Sequence, residues 1–489
     1  MGRSKKSTSG KLRALAVEFK EDSLEYENNT LSCLCCGVRL GMDSDSEVRR
    51  FITVQHLGTP KHKNAIELYN SQQKLNFEKD TFSLDICQAF VAADIPIYKL
   101  NHPVLRECWE KYCGRKLPDQ STIRKNYLNE TFEATMECIR QEIGDSNIWV
   151  SIDETTDSMG RYIANVIIGK LNGTESGRPL LLNVVQLQKA NFQTIAALFN
   201  DSMSLLWPRS VDHSKVLLFI SDAAPYMVKA GKTLKTFYHR MSHITCLAHG
   251  LHRIAEAVRT KYKVVDKFIG SMKKIFLKAP ARVTAFKEQF PDLSLPPKPV
   301  LTRWGTWLTT VSYYADNLNK IAQFVLSLND DDSSAVREVQ TLLEKKRAKL
   351  TMDITEIQQY YAGIADTITQ LETKGQPLVR SLELWQDAID MLCNSPHQVI
   401  AEKALSVLNK NRDLPKIVKL SRNDPSLLDQ LPFTDMSPTE LASFRFAPVV
   451  SVDVERSFST LKSVLRDNRK SFLIENLKEH LIIGCYTNV

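Results

Sequence analysis

The sequence predicts a mixed α/β core interrupted by a long all-helical stretch and preceded by a small Cys/His unit and a helical segment. Three observations carry this. Between residues 147 and 260, short apolar runs of strand length alternate with helical periods. From 261 to 440 the period stays helical and glycine is scarce. Between 33 and 62, cysteines and histidines recur at metal-ligand spacing. The corresponding division is 1–75, 76–144, 145–260, 261–440 and 441–489, with the first and last parts of the core on either side of the helical stretch.

Composition bounds the class. At 489 residues the chain exceeds one ordinary core and implies two to four domains. Hydrophobic content of 43% and charged content of 25% are those of a soluble globular protein. The longest apolar runs, Val166 to Ile168 and Val216 to Ile220, are strand-sized, so no membrane partner is expected. A net charge of +8 admits a nucleic-acid partner. The start of the chain carries Arg3, Lys5, Lys6, Lys11 and Arg13 with no acid before Glu18 and no apolar h-region. Such an arm suits nuclear import or phosphate contact rather than secretion. The ten cysteines are scattered except at Cys33, Cys35 and Cys36, a pattern for a reducing compartment and a metal site.

In chain order, Cys33-Leu34-Cys35-Cys36 is followed by His56 and His62, which gives C-x2-C and H-x5-H. Two thiolates from one tight turn and two imidazoles supply a tetrahedral Zn2+. Cys33, Cys36, His56 and His62 are the candidate ligands, and Cys35 replaces Cys36 if the register differs by one. Residues 47 to 57 read as the helix that delivers His56. Units of this size fold with their metal and commonly set a helix in the DNA major groove. Residues 81 to 98 and 121 to 143 read as helices, with Phe82, Ile86, Phe90 and Val91 on one face.

From Asn147 the period changes. Ile148 to Asp153, Tyr162 to Leu171, and Pro179 to Leu187 read as strands. A helix over Phe192 to Trp207 follows, then a strand over Lys215 to Ser221 that ends at Asp222. Pro225 to His239 is helical, with Pro in its first turn. His243 to Cys246 is a short strand before a helix over Leu251 to Thr260. The order β-β-β-α-β-α-β-α is that of an RNase H-like core. There the first and fourth strands are neighbours, and acids at their carboxyl ends, here Asp153 and Asp222, can share a metal. Glu154 and Asp157 read as a solvated turn.

In the helical stretch, Arg303 can grip a phosphate bidentately, Trp304 can stack on an unpaired base, and Trp307 suits a core anchor. Val336, Val339, Leu343, Leu350, Ile354, Ile357, Tyr361, Ile364, Ile368 and Leu371 recur at steps of three and four, as in packed bundle helices, with interruptions at Asn329 to Ser334 and at Thr351 to Asp353. Lys345, Lys346, Arg347 and Lys349 form a basic face. Near the end, Val454, Phe458 and Leu461 mark an amphipathic helix. Glu455 lies in its first turns, where the dipole favours negative charge.

On these residues the chain resembles the hAT superfamily of DNA transposases. Asp153 stands where that family has its first catalytic aspartate and Asp222 where it has its second. Cys246-Leu247-Ala248-His249 matches its C-x-x-H, and Arg303-Trp304 is similar to its R-W element. Glu455-Arg456-Ser457-Phe458-Ser459 matches the E-R-x-F-S signature of its terminal dimerisation region, which continues through Leu477 to Ile483. The Cys/His unit resembles the BED-type zinc finger found in front of many such transposases. Ile86 to Phe90, Ala93 to Pro96, Leu100 to Pro103 and Leu117 to Ile123 are similar to the helical segment after that finger, and to the CGG triplet repeat-binding protein.

The resemblance implies an RNase H-like core with an all-α insertion, acting in the nucleus on double-stranded DNA and self-associating through its C-terminal region. It implies cleavage and strand transfer by two-metal phosphoryl transfer, with Asp153, Asp222 and Glu455 holding Mg2+ or Mn2+ and His249 near the scissile phosphate. Two departures stand out: the chain is short for an autonomous transposase, and Ala223-Ala224-Pro225 follows Asp222. They leave open a catalytically silent DNA-binding regulator of the same descent, or an RNase H-like nuclease on other substrates.

Overall fold

The computed structural model describes the chain apart from residues 1–7, 20–22, 45–49, 67–80, 301–303, 330–332, 422–435, 467–468, 470–471 and 489. It forms two compact units, Met1–Ile86 and Cys87–Val489.

The first unit begins with α1 (Thr8–Glu18), followed by β1 (Leu24–Glu27), β2 (Thr30–Cys33) and β3 (Val38–Met42) in one antiparallel sheet. Asn28 and Asn29, both at positive φ, make the two-residue turn between β1 and β2, where asparagine tolerates the left-handed conformation. Leu12, Leu15, Leu24, Leu31 and Cys33 form its core. That is little apolar surface for a free-standing fold. Helix α2 (Arg50–Leu57) and α3 (60–66) complete the ligand-bearing part.

Helix α4 (Thr81–Ala92) leads into the second unit, which continues with α5 (Pro103–Cys113) and α6 (Leu128–Ile143). The central sheet then forms from β4 (Ile148–Thr156), β5 (Tyr162–Lys170), β6 (Leu180–Leu187), β7 (Val216–Ser221) and β8 (Ser242–Thr245). Strand order is β6-β5-β4-β7-β8, antiparallel across β6-β5-β4 and parallel across β4-β7-β8. Every residue of β7 is buried, as expected of a strand covered on both faces. The flanking helices are α7 (Phe192–Leu206), α8 (Pro225–Leu234) and α9 (Leu247–Lys261). Gly231 on α8 is required by close approach, because a Cβ there would strike the His243 ring.

Every described element from Leu247 to Ser443 is helical. After α9 come α10 (Lys263–Phe276), α11 (Pro280–Gln289), α12 (Trp304–Ser327), α13 (Ser334–Tyr361), α14 (Gly363–Leu371), α15 (Leu378–Cys393), α16 (Gln398–Lys410), α17 (Leu414–Ser421) and α18 (Pro438–Ser443). The whole expected stripe from Val336 to Leu371 is buried. The break expected near Thr351 to Asp353 falls instead at Lys346, whose φ of −133° and ψ of 18° kink an otherwise continuous α13. Trp307 is a core residue at 2% exposure. Two last helices, α19 (Val452–Val464) and α20 (Ile474–Thr487), return to the sheet: α19 packs on β4 and β5, and α20 on β6 and α6. Buried Asn165 of β5 donates to Ser457 Oγ of α19 at 2.7 Å, which fixes the rotation of that helix.

Candidate metal centre and carboxylate site

The Cys/His unit brings one ligand atom each from Cys33, Cys36, His56 and His62 to within 4.8 Å of one another. His62 Nδ1 lies 3.5 Å from both Cys33 Sγ and Cys36 Sγ. A tetrahedral Zn2+ with ordinary bond lengths requires an S–N edge of about 3.6 Å, so the donors fit that ion. His56 Nε2 is buried without a hydrogen-bond partner, as befits a nitrogen reserved for a metal. Thr59 sets the spacing of the histidines: its hydroxyl donates to His56 O at 2.7 Å and accepts from His62 N at 3.2 Å. Cys35 stands beside the quartet, with Sγ 3.3 Å from Cys33 Sγ and 3.6 Å from His62 Nδ1.

The second site lies where β4 and β7 run side by side: Asp222 directly follows β7, whereas Asp153, expected to end its strand, lies within β4, which pairs with β5 as far as Thr156. In their parallel register Ser151 pairs with Ile220. Asp153 and Asp222 each lie two positions further on, so the two acids are level. Asp222 Oδ1 accepts from Ala224 N at 3.0 Å, and Asp153 Oδ1 accepts from Glu154 N at 2.9 Å. Burial pushes the Asp153 carboxyl up to about 7, with Asp222 and Glu154 adding to the rise and His249 opposing it.

His249 is the hub. It sits in the first turn of α9, behind Cys246, which is the residue capping that helix rather than the end of β8. Two backbone bonds pin this turn: Cys246 N donates to Ser221 O at 2.8 Å and Leu247 N to Val449 O at 3.0 Å. The second draws residues 449–451, and α19 behind them, against α9. His249 Nε2 then lies 3.5 Å from Glu455 Oε1, and its Nδ1 3.3 Å from Ser451 Oγ. Burial pulls the imidazole down, but Cys246, Glu455 and Asp153 outweigh it and raise the group to about 10. Against that imidazolium the buried Cys246 thiol is held below its ordinary range despite burial. Its sulfur also accepts from Ser451 N at 3.2 Å.

The residues picked from sequence thus fare differently. Asp153, Asp222, His249 and Glu455, 302 positions apart between first and last (455 minus 153), share one electrostatic neighbourhood. Arg303 lies outside the described residues, as does the side chain of Trp304, which heads α12. Among the described residues, Cys33, Cys36, His56 and His62 make up the one set of three or more Cys, His, Asp or Glu ligand atoms within 4.8 Å of one another; the carboxylates do not form such a set.

Glu154, expected in a solvated turn, is in β4 and half-buried. Tyr226 donates to its Oε1, its Oε2 is buried without a partner, and burial raises its pKa. Tyr226, Ser451 and Arg253, whose guanidinium lies 3.9 Å from Asp222, were not foreseen. Tyr226 offered one signal, a phenol four residues past Asp222 at a helix start; Ser451 and Arg253 offered none.

Residues 118–275, about a third of the chain, match the family model described as a domain of unknown function (DUF659). This domain is found in hAT-type transposase-like proteins, where it is linked to dimerisation. The match takes in the sheet with Asp153, Asp222 and His249. A comparison with curated proteins gives no match. No described helix is long and apolar enough to cross a membrane.

Proposed function

We propose that this chain is a hAT-like transposase whose second unit is an RNase H-like core with an all-α insertion over 261–440. Its strand order and its match to a domain of hAT-type proteins support this reading. The observation that carries the chemistry is the approach of Asp153 and Glu455 to His249 from remote parts of the chain, with Asp222 beside Asp153. Asp222 and Glu154 lie close enough to Asp153 to add to the burial-driven rise of its carboxyl, and such a group of carboxylates is a donor set suited to Mg2+ or Mn2+. Bound there, such ions would activate the attacking oxygen and stabilise the leaving oxygen of a phosphodiester. The chain's own residues orient the acids. Glu154 and Tyr226 pack beside Asp153 and Asp222, and the pinned turn at Cys246 and Leu247 holds Glu455 in reach.

In this reading the Cys/His unit is a BED-type finger that holds Zn2+ and grips double-stranded DNA, the protein acts in the nucleus, and its C-terminal region mediates self-association. Arg303, Trp304 and His249 contact the DNA.

A second reading is favoured by one observation. The charged His249 already stands beside Glu455 and Asp153, which lets the carboxylates persist without a divalent ion. That suits a DNA-binding regulator of the same descent, related to the CGG triplet repeat-binding protein and free of chemistry. Nicking of DNA from the flanks of the gene, measured with Mn2+ for wild type and Asp222→Ala, separates the two. Loss of nicking only in the variant supports the transposase. Zinc-dependent DNA binding with no nicking by either protein supports the regulator, and equal nicking by both rules out Asp222 chemistry.

A further inference from the structure

A cavity of about 310 Å³ lies away from the carboxylate site, between the short helix Ile97–Asn101, α6 and the start of α20. Its walls include Tyr98, Arg124, Arg469, Phe472, Asn476 and His480. The floor is a built polar system. Asp94, held at a positive φ of 50°, accepts from Arg469 at 2.5 Å and from Arg466 at 3.0 Å. Arg469 in turn lies 3.3 Å from His480 Nε2. A guanidinium can only donate, so Nε2 accepts and the imidazole proton resides on Nδ1. His480 is 2% exposed, and that Nδ1 is buried without a hydrogen-bond partner. That nitrogen is closed off from the cavity as well as from solvent, so His480 contributes its ring to the wall and no donor to an occupant.

The charge changes from floor to mouth. Asp94 neutralises the buried Arg469, whereas Arg124 at the mouth is exposed and has no ion pair among the described residues. Two rings flank the space. Tyr98 is 41% exposed, and Phe472 lies beneath the Arg469 guanidinium at 5.4 Å and edge-on to His480 at 5.5 Å. An exposed cation suits a phosphate, aromatic faces suit a stacked planar ring, and the Asn476 amide, which can donate and accept, suits ring heteroatoms. The volume admits one nucleoside and little more.

We propose that this cavity binds a single nucleotide, its base between Tyr98 and Phe472 and its phosphate at Arg124, supplied either free or as an unpaired nucleotide of a DNA strand. It stands independently of any chemistry at Asp153.

The test is fluorescence quenching of 2-aminopurine deoxyriboside 5′-monophosphate, and of a thymidine single strand carrying one 2-aminopurine, by the full zinc-loaded chain. Saturable quenching of the free nucleotide, weakened at least tenfold in Arg124→Glu and abolished in Phe472→Ala, is the expected result. Quenching of the strand alone with the same losses identifies the DNA strand as the source and supports the site. No quenching of either probe, or quenching unchanged in both variants, overturns it. Circular dichroism of both variants shows that the fold is kept. Mn2+-dependent nicking, which depends on Asp222 and not on this cavity, fails or succeeds separately.

Discussion

Strand β8 is the outer edge of the central sheet, and its exposed ladder is closed by side chains from the α16–α17 connection. Asn411, 4% exposed, accepts from Thr245 N at 3.1 Å and donates to Thr245 O at 2.9 Å, and Asp413 accepts from His243 N at 2.8 Å. Asn411 thus substitutes for a sixth strand. Asn411→Ala removes both bonds and leaves one buried N–H and one buried C=O unmet. At about 1–3 kcal/mol for each orphaned group, the expected local loss is about 2–6 kcal/mol. A chain of two compact units does not unfold in one step, so a global melt would blur the effect. Hydrogen exchange of a peptide spanning 240–248 resolves it. A loss of about 4 kcal/mol corresponds to roughly a thousandfold faster opening. Asn411→Asp, which keeps the acceptor for Thr245 N but sets a carboxylate against Thr245 O, should lose protection as well. Unchanged protection over 242–246 in Asn411→Ala would refute the claim that this side chain holds the edge. The site should feel the change, because Cys246 and His249 directly follow this strand.

Other outcomes follow from the same structure. Cys36→Ser should lose the bound zinc and unfold the first unit, while Cys35→Ser keeps one equivalent; metal analysis with a chromogenic chelator decides, and the reverse result reassigns the ligand. Gly231→Ala drives a methyl group into the His243 ring, and about 1–3 kcal/mol of destabilisation is expected from urea titration. Burial holds both His243 and His480 down to about 4; Lys235 adds to the effect on His243 against Asp413, and Arg469 and Arg124 add to it on His480 against Asp94. Their unfolded pKa is near 6.5, so below that pH the unfolded chain takes protons the folded chain refuses. The contribution of these two histidines to stability is therefore intact above pH 6.5 and falls toward pH 4, by about 2 kcal/mol for each at pH 5, while Asp153 and His249, whose folded pKa values are raised, gain stability over the same range and offset part of that loss. Urea titrations of wild type and His480→Gln at pH 7 and 5 measure this, and between those values the variant should lose about 2 kcal/mol less than wild type.

Whatever depends on near neighbours is legible in the amino-acid order alone. Strand-length apolar runs ending in Asp153 and Asp222, helical stripes such as Val336 to Leu371, and the spacing of Cys33, Cys36, His56 and His62 all express periods of two, of three to four, or of a metal knuckle, written within a few dozen residues. For the same reason the kink at Lys346 was misplaced, since only packing against other helices selects which turn of a polar stretch gives way. Tertiary structure decided what depends on contacts across hundreds of residues. It set Ser451 and Glu455 around His249 and closed the sheet edge with Asn411. It also drew Glu154 into a half-buried bond with Tyr226. Side chains of this kind carry no periodic mark, because their partners are chosen by chain reversal and burial. Glu455 shows the division most plainly: alone it is an acid in the first turn of a helix, and one backbone bond from Leu247 to Val449 holds that helix against the histidine that acts on Asp153, itself beside Asp222.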